Sequence, residues 1–498
     1  MGIIKRQSIK SSIVNFFGAA IGALATLFVY PLDLEIYGFA QFLYSTATLL
    51  IPLGTLGVLS IIVRYYPKFN TKDSNNYNGF LSLVLMALST AFSIFLIFWF
   101  LFNDLFLSLF DKIKMDASKL ADNQIYILVL LAFLILLNFV TYQSANKLRI
   151  VVPNIIQTLG FKIFLPLWVL AFVYLGISET QFAYGVVAFF GVASLLILVY
   201  LKLIDAIKFG KIQKPTKDFS YKEMAKYSMF GSFNQLSNGI ALRIDSFMVT
   251  MFIGFGANGI YNIALFIANV LEIPTKSIYQ ISGPIISKAW EENDTEEISV
   301  IYKKASANLF LFGSFVFLGI WYLLDDLIKL SSNPDGFTNV KMIFLLLGIG
   351  KLTDMVTSVN SQILIFSKLY KYNLLFLIVL AVSNLILNYI FIPKYGIIGA
   401  ALATTISLIL YNVIKVIFIF KAFKMHPFSF SGLKVLFILI PMTFVTYLLP
   451  IELRPIISIL VKGTFVTLIF LPIAYFWNIS EDANELVRST INKITKFK

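Results

Sequence analysis

The sequence predicts an all-α polytopic membrane protein with about fourteen transmembrane helices, and three observations carry that prediction. Hydrophobic residues make up 58% of the 498 residues and charged ones 13%, with a mean hydropathy of +0.84, far from the balance of soluble domains. The apolar residues fall in runs of about 20, the length that crosses a hydrocarbon core of roughly 30 Å at about 1.5 Å per residue. Lys and Arg gather in alternate connections. With the N-terminus inside, about 28 of them fall on the cytoplasmic side and about seven outside, which orients the chain with both termini in the cytoplasm.

Taken in order, the basic start Met1 to Lys10 leads into an apolar run near 13–30 with no small-residue cleavage site, so it reads as a retained first span. Spans near 40–63, 80–102, 124–143, 152–175 and 182–203 follow, with the longest outer connection at Asn103 to Asn123. The basic stretch Lys202 to Lys226 is the natural joint of the chain, a linker that can also touch lipid headgroups. Beyond it, spans near 227–252 and 259–282 are joined by the tight turn Gly254 to Gly259, and the acidic segment Ser287 to Lys304 is cytoplasmic. The remaining spans fall near 304–324, 341–366, 372–392, 397–420, 433–449 and 456–476. Pro52, Pro166, Pro274 and Pro472 lie within spans, where each removes a backbone hydrogen bond and tends to kink its helix.

The composition excludes several classes of chemistry. There is no cysteine, so thiol catalysis, disulfides and Cys-ligated metals are ruled out, and the lone His426 cannot build a histidine metal cluster or a Ser/His/Asp arrangement. A net charge of +14 would suggest nucleic acid in a soluble protein, but here it reflects basic cytoplasmic loops. No cofactor is expected. Asp325-Asp326 is the only adjacent acidic pair at an outer helix end, and it reads as a solvated terminus.

An internal repeat crosses the joint. Tyr37-Gly38-Phe39-Ala40-Gln41-Phe42, followed by Pro52, aligns with Asn258-Gly259-Ile260-Tyr261-Asn262-Ile263, followed by Pro274; a third Gly-started copy runs from Tyr395 to Ala401. Weak symmetry of this kind marks transporter halves, and halves of six spans each are parallel in orientation.

Lipid should forbid the ionisable residues inside the spans, since a charge at mid-membrane costs about 2.5–3.5 kcal/mol on insertion scales. They are Arg243, Asp245, Glu272, Lys276, Lys162, Lys351, Asp354 and Lys462, five basic and three acidic. Glu272 and Lys276 at i,i+4, and Lys351 and Asp354 at i,i+3, share helix faces on which they can neutralise one another. Arg243 and Asp245 point roughly 200° apart, so each needs a partner elsewhere. Lys462 lies near an interface, within snorkelling reach. The basic surplus suits an anionic ligand such as a diphosphate, with Arg243, Lys162, Lys276 and Lys351 as its contacts. Asp245, Glu272 and Asp354 are then ion-coupling or charge-pairing groups. The hairpin from Tyr227 to Pro284 reads as one wall of a transport path.

These residues resemble a known family. Asp245, Gly254, Gly259-Ile260-Tyr261, Pro274 and Pro284, with Ile392-Pro393-Lys394-Tyr395-Gly396-Ile397-Ile398-Gly399-Ala400-Ala401-Leu402-Ala403-Thr404, are similar to the polysaccharide-unit flippases of the multidrug/oligosaccharidyl-lipid/polysaccharide (MOP) exporter superfamily. The resemblance spans nearly the whole chain and rests on soft Gly/Pro patterns. It implies two pseudo-symmetric six-helix lobes, 1–204 and 227–424, around a central cavity. A cytoplasmic linker at 205–226 would join them, and two further helices with a tail would occupy 425–498. The implied activity is movement of undecaprenyl-diphosphate-linked oligosaccharide (O-antigen or other polysaccharide units) from the cytoplasmic to the periplasmic leaflet by alternating access. The implied location is the bacterial inner membrane, and the helices from Leu433 to Trp477 would offer the lipid tail a groove. Implied partners are the lipid-linked substrate, the bilayer, Na+ or H+, and polysaccharide polymerase machinery. Lipid II flippases share the plan, and many polysaccharide-unit members have two spans fewer. Rival readings are a MATE-type drug exporter and, from another class, a membrane polysaccharide polymerase, ligase or glycosyltransferase.

Overall fold

A computed structural model describes residues 3–69, 79–212, 220–448, 453–485 and 488–489. Within the expected linker 205–226, residues 213–219 lie outside the described residues, as do 490–498 of the expected tail. The described residues are mostly helical, with no strand, and form two compact units, 1–259 and 260–498.

The first unit runs through α1 (Ile3–Phe28), α2 (Leu34–Thr55), α3 (Leu59–Phe69), α4 (Phe80–Lys112), a four-residue α5 (Ser118–Ala121) and α6 (Gln124–Asn146). It continues with the short α7 (Val151–Asn154), a π turn at Ile155–Leu159, α8 (Gly160–Leu175), α9 (Glu179–Leu203) and α10 (Tyr221–Phe252). Polar caps set the starts. The Asp33 carboxylate accepts from the Ile36 N–H at 2.9 Å to open α2, and reciprocal Ser/Glu-type boxes, Ser178 with Gln181 and Ser220 with Glu223, open α9 and α10. At the centre α2 packs on α10, α6 and α4, and 61% of its apolar window is buried, against 17% for the α7–α8 span.

The second span ends earlier than the apolar run 40–63 suggests. Leu56 and Gly57 take left-handed backbone (φ 45° and 73°), so α3 starts as a separate helix. Such a break strands carbonyls that have no water to turn to, and α10 supplies the donors: Ser232 Oγ donates to the Pro52 carbonyl at 3.0 Å and Ser228 Oγ to that of Leu56 at 2.7 Å. Only glycine fits at 57, because a Cβ there would stand 2.0 Å from the Ser228 carbonyl oxygen.

The last helix to begin in the first unit, α11 (Phe255–Asn269), leads through a 3-10 turn at Val270–Glu272 into α12 (Ile273–Glu292), with Pro274 at its first turn. The second unit continues with α13 (Thr295–Lys329), α14 (Val340–Thr357), α15 (Asn360–Phe366), α16 (Lys371–Tyr395), α17 (Ile397–Phe423), α18 (Phe430–Leu448) and α19 (Pro455–Phe476). Its layers are α16 on α17, α17 on α14, and α13 against α12, α14, α18 and α19. Pro274 and the 3-10 turn split the eighth span, and the tenth is split at Ser358, where α14 and α15 bend by 47°.

Among the described residues twelve stretches are long and apolar enough to cross a membrane, or up to 13 counting the bent tenth span, so this is a multi-pass membrane protein. The expected seventh span is present as α10 and long enough at 32 residues, but its polar side chains keep it outside that apolar set.

Candidate functional site

In the first unit, the repeat segments expected from the sequence meet each other. A Cβ on Gly38 would stand 1.7 Å from the Phe255 carbonyl oxygen and 2.7 Å from the Gly259 nitrogen, and one on Gly259 would stand 2.3 Å from the Leu34 carbonyl oxygen. Backbone therefore lies on backbone where α2 and α11 begin. A buried polar chain ties the crossing to α10. Ser45 Oγ lies 3.2 Å from Ser246 Oγ, Ser246 Oγ donates to Asn258 Oδ1 at 2.7 Å, and Asn258 Nδ2 donates to the Gly38 carbonyl at 2.9 Å.

Asp245, one residue before Ser246, is buried at 4% exposure. Arg243, two residues earlier, is half-buried, with its guanidinium carbon 5.0 Å from the Tyr44 ring centroid. Tyr44 in turn stacks on Phe190 at 5.5 Å. A guanidinium over an aromatic face gains about 0.5–2 kcal/mol. Tyr44 escaped the sequence reading, since one tyrosine among the many aromatic residues of the spans carries no signal of its own. Lys162 is half-buried near the start of α8, just after the π turn, and its chain crosses Gly18 of α1: Cδ lies 3.2 Å from the position a Gly18 Cβ would take. Apolar clefts of about 380 and 410 Å³ lie along α4 in this unit, the first walled by Leu50, Phe95, Trp99 and Phe247, and both sharing Leu56, Ala91 and Ile94.

In the second unit the pairs expected within single helices do not form. Lys351 reaches across to Glu272 at 2.8 Å instead, because the 3-10 turn carrying Glu272 packs on α14. Among the described residues Lys276 makes no ion pair and is exposed on α12. Asp354 Oδ1 accepts from Asn412 Nδ2 at 3.1 Å, and Asn412 Oδ1 accepts from Thr357 Oγ1 at 2.8 Å and Asn360 Nδ2 at 3.2 Å. Lys415, wholly buried on α17, donates to Ser361 Oγ at 2.5 Å and to the Tyr411 hydroxyl at 2.9 Å. The sequence reading did not single out Lys415, although a lysine between Ile414 and Val416 within an apolar run meets the same criterion as the others.

Two further expectations change. Lys462 does not snorkel: it lies 2.6 Å from Asp326 Oδ2, which also accepts from Ser458 Oγ at 2.8 Å. Asp326 is thus no solvated terminus, being 1% exposed, while its neighbour Asp325 pairs with Lys341. The two carboxylates are engaged separately and do not form a free acid/base pair. Adding Lys415 and Asp326 to the mid-span charges leaves the basic surplus at two, six basic against four acidic, with one excess cation in each unit.

No family model matches the sequence. An uncharacterized membrane protein, MJ1068, of Methanocaldococcus jannaschii is 24% identical over 246 residues, 49% of this chain. The match spans about half, 48%, of that relative's length. Among solved structures the fold is similar to that of the lipid II flippase MurJ in an inward closed conformation, with a TM-score of 0.69 and 20% identity over 94% of this chain and 99% of that one. It is also similar to a multidrug resistance MATE family transporter of the MOP superfamily. The inward-facing form of that transporter gives a TM-score of 0.58 at 18% identity, over 85% of this chain and 98% of that one. The outward-facing form gives 0.52 at 17%, over 85% and 95%. The chain therefore has the MurJ/MATE fold, and these structural neighbours are transporters.

Proposed function

We propose that this protein is a carrier that moves a polyprenyl-diphosphate-linked sugar unit between membrane leaflets by alternating access. The observation that carries this reading is the mid-span basic surplus, in which Arg243 is held over Tyr44, in a chain of flippase fold. A diphosphate needs forked and point-charge donors, which Arg243, Lys162 and Lys276 supply, whereas Lys351 enters the contact only by exchanging Glu272 for the cargo. The lipid tail stays in hydrocarbon, where the α18–α19 helices or the clefts along α4 offer it apolar walls. The lobes 1–204 and 227–424 rock about the linker 205–226, in a cytoplasmic membrane with both termini inside.

An oligosaccharide unit is the cargo suggested by the sequence motifs, and lipid II is the second reading, favoured by the likeness to MurJ. Export of cationic drugs fits less well, because Glu272 and Asp326 are already neutralised by Lys351 and Lys462. The test is complementation of two strains, one lacking a polysaccharide-unit flippase and one lacking the lipid II flippase. Rescue of one strain identifies the cargo. Rescue of neither, together with uptake of cationic drugs by vesicles bearing the protein, would overturn the reading.

A further inference from the structure

Of the buried charges in the second unit, Lys351 and Lys462 each touch a carboxylate directly, at 2.8 and 2.6 Å. Lys415 does not. Its ammonium is wholly buried, its hydrogen bonds go to two hydroxyls, and among the described residues no carboxylate oxygen lies within 4.0 Å of it. The carboxylate that acts on it electrostatically is Asp354, one helix away. Each member keeps bonding capacity in hand. An ammonium has three donors and this one uses two, while the Asp354 side chain accepts a single side-chain bond, from Asn412.

Between and around the two lies a continuous polar network: Thr357, Asn360, Ser361, Tyr411 and Asn412. It sits at the break between α14 and α15. Ser358 there takes a φ of 48°, its N–H donates to the Asp354 carbonyl at 2.9 Å, and its own hydroxyl is buried without a partner. Discontinuous spans of this kind place ion-responsive groups where backbone can rearrange.

We propose that Asp354 and Lys415 form a proton-exchange site in which Lys415 is a built-in counter-cation, so that this unit changes charge by gaining or losing a proton and not by binding a metal cation. In the charge-separated form of this site, Lys415 carries its proton and Asp354 is ionised. Uptake of one proton makes an Asp354 carboxylic acid and leaves Lys415 as the only charge of the pair. Release of one proton to water makes a Lys415 amine, which can then accept from the Tyr411 or Ser361 hydroxyl, since a hydroxyl can turn from acceptor to donor. Either exchange alters the charge at the α14–α15 break by one. Lys415 is wholly buried and Asp354 half-buried, and they lack the direct contact that Lys351–Glu272 and Lys462–Asp326 have, so a change of charge costs less here than at those pairs. The other titratable groups facing the pair are Glu272 and Tyr279 from the 3-10 turn and α12, Lys351 from α14 and Tyr411 from α17.

This deepens the carrier reading by naming its coupling ion, and it is tested without cargo, so either can fail alone. Melting temperature of the purified full-length protein is measured from about pH 5 to 9 in sodium chloride and in choline chloride. The wild type should shift with pH equally in both salts. Lys415→Arg, which keeps the charge but cannot release it, should lose the alkaline part of that shift, and Asp354→Asn the acidic part. Wild-type protein made with 13Cε-lysine gives a reading that needs no variant: one lysine resonance should titrate in this range. Stabilisation by sodium at constant pH, a pH profile that both variants leave unchanged, or the absence of any titrating lysine resonance would each overturn the proposal.

Discussion

Lys351 Nζ lies 2.8 Å from Glu272 Oε1, joining α14 to the 3-10 turn before α12 across 79 residues of chain. Separating a buried pair strands a charge, at a cost of about 3–5 kcal/mol. Glu272 keeps 35% of its side chain open, so the low end applies. Glu272→Gln and Lys351→Met should each destabilise the purified protein by about 3 kcal/mol, and the double variant by clearly less than the sum. Additive losses in thermal unfolding would mean that the two side chains do not depend on each other.

The Gly38–Gly259 crossing admits no side chain. Gly38→Ala and Gly259→Ala should disfavour the state in which α2 and α11 cross and lower the recovery of monodisperse protein, because the new Cβ meets backbone and not a flexible side chain. Gly319→Ala, where nothing lies within 4 Å of the new atom, should be neutral or slightly stabilising. Normal yields of Gly38→Ala by size-exclusion chromatography would contradict the close approach.

Arg243→Ala should abolish complementation of a flippase-deficient strain with protein levels near normal, and Arg243→Lys should restore it only in part, since a lysine cannot present a forked edge. Loss of the protein itself would instead assign Arg243 to holding the fold.

The pair arrangement shows how far the sequence could be read. Span positions were legible because 3.6-residue periodicity is irrelevant in lipid and simple apolar length suffices, so 12 of the expected helices recur as apolar spans. The break at Leu56–Gly57 was not, since it depends on Ser228 and Ser232 from a distant helix accepting the role of donors. The charged residues themselves were visible, Lys415 included. Their partners were not, because i,i+3 and i,i+4 spacing describes only neighbours on one helix, whereas Glu272, Asp326 and Asp354 all found their contacts on others.

Orientation is open to direct measurement in a chain without cysteine. Single cysteines at Asp116 and Lys211 should label from opposite sides of intact cells, Asp116 from outside and Lys211 only after permeabilisation. The reverse pattern would invert the topology.

Asp482, beyond the last span, accepts from Lys304 at 2.7 Å and Asn308 at 2.9 Å, and chiefly the Lys304 bond holds its carboxyl below the usual range. A lowered folded value stabilises above the ordinary carboxylate range near about pH 4 and is lost as pH falls through the folded value. Asp482→Asn should therefore flatten the acid limb of the melting curve and leave neutral stability slightly reduced. An acid limb of unchanged steepness would assign the latch no weight.

The buried Asp326–Lys462 contact also constrains how the protein is made. Asp326 enters the bilayer with α13, but its counter-ion arrives 136 residues later. At about 5–20 residues per second the ribosome needs roughly 7–27 s to deliver it. During that interval the nascent chain holds Asp326 near the end of its span without Lys462 beside it, so the pairing of this carboxylate waits on α19. Maturation is therefore ordered by charge: the contact between the ninth and fourteenth spans closes only once Lys462 has been made, and a chain stalled just before it, though nearly complete, carries Asp326 without this partner.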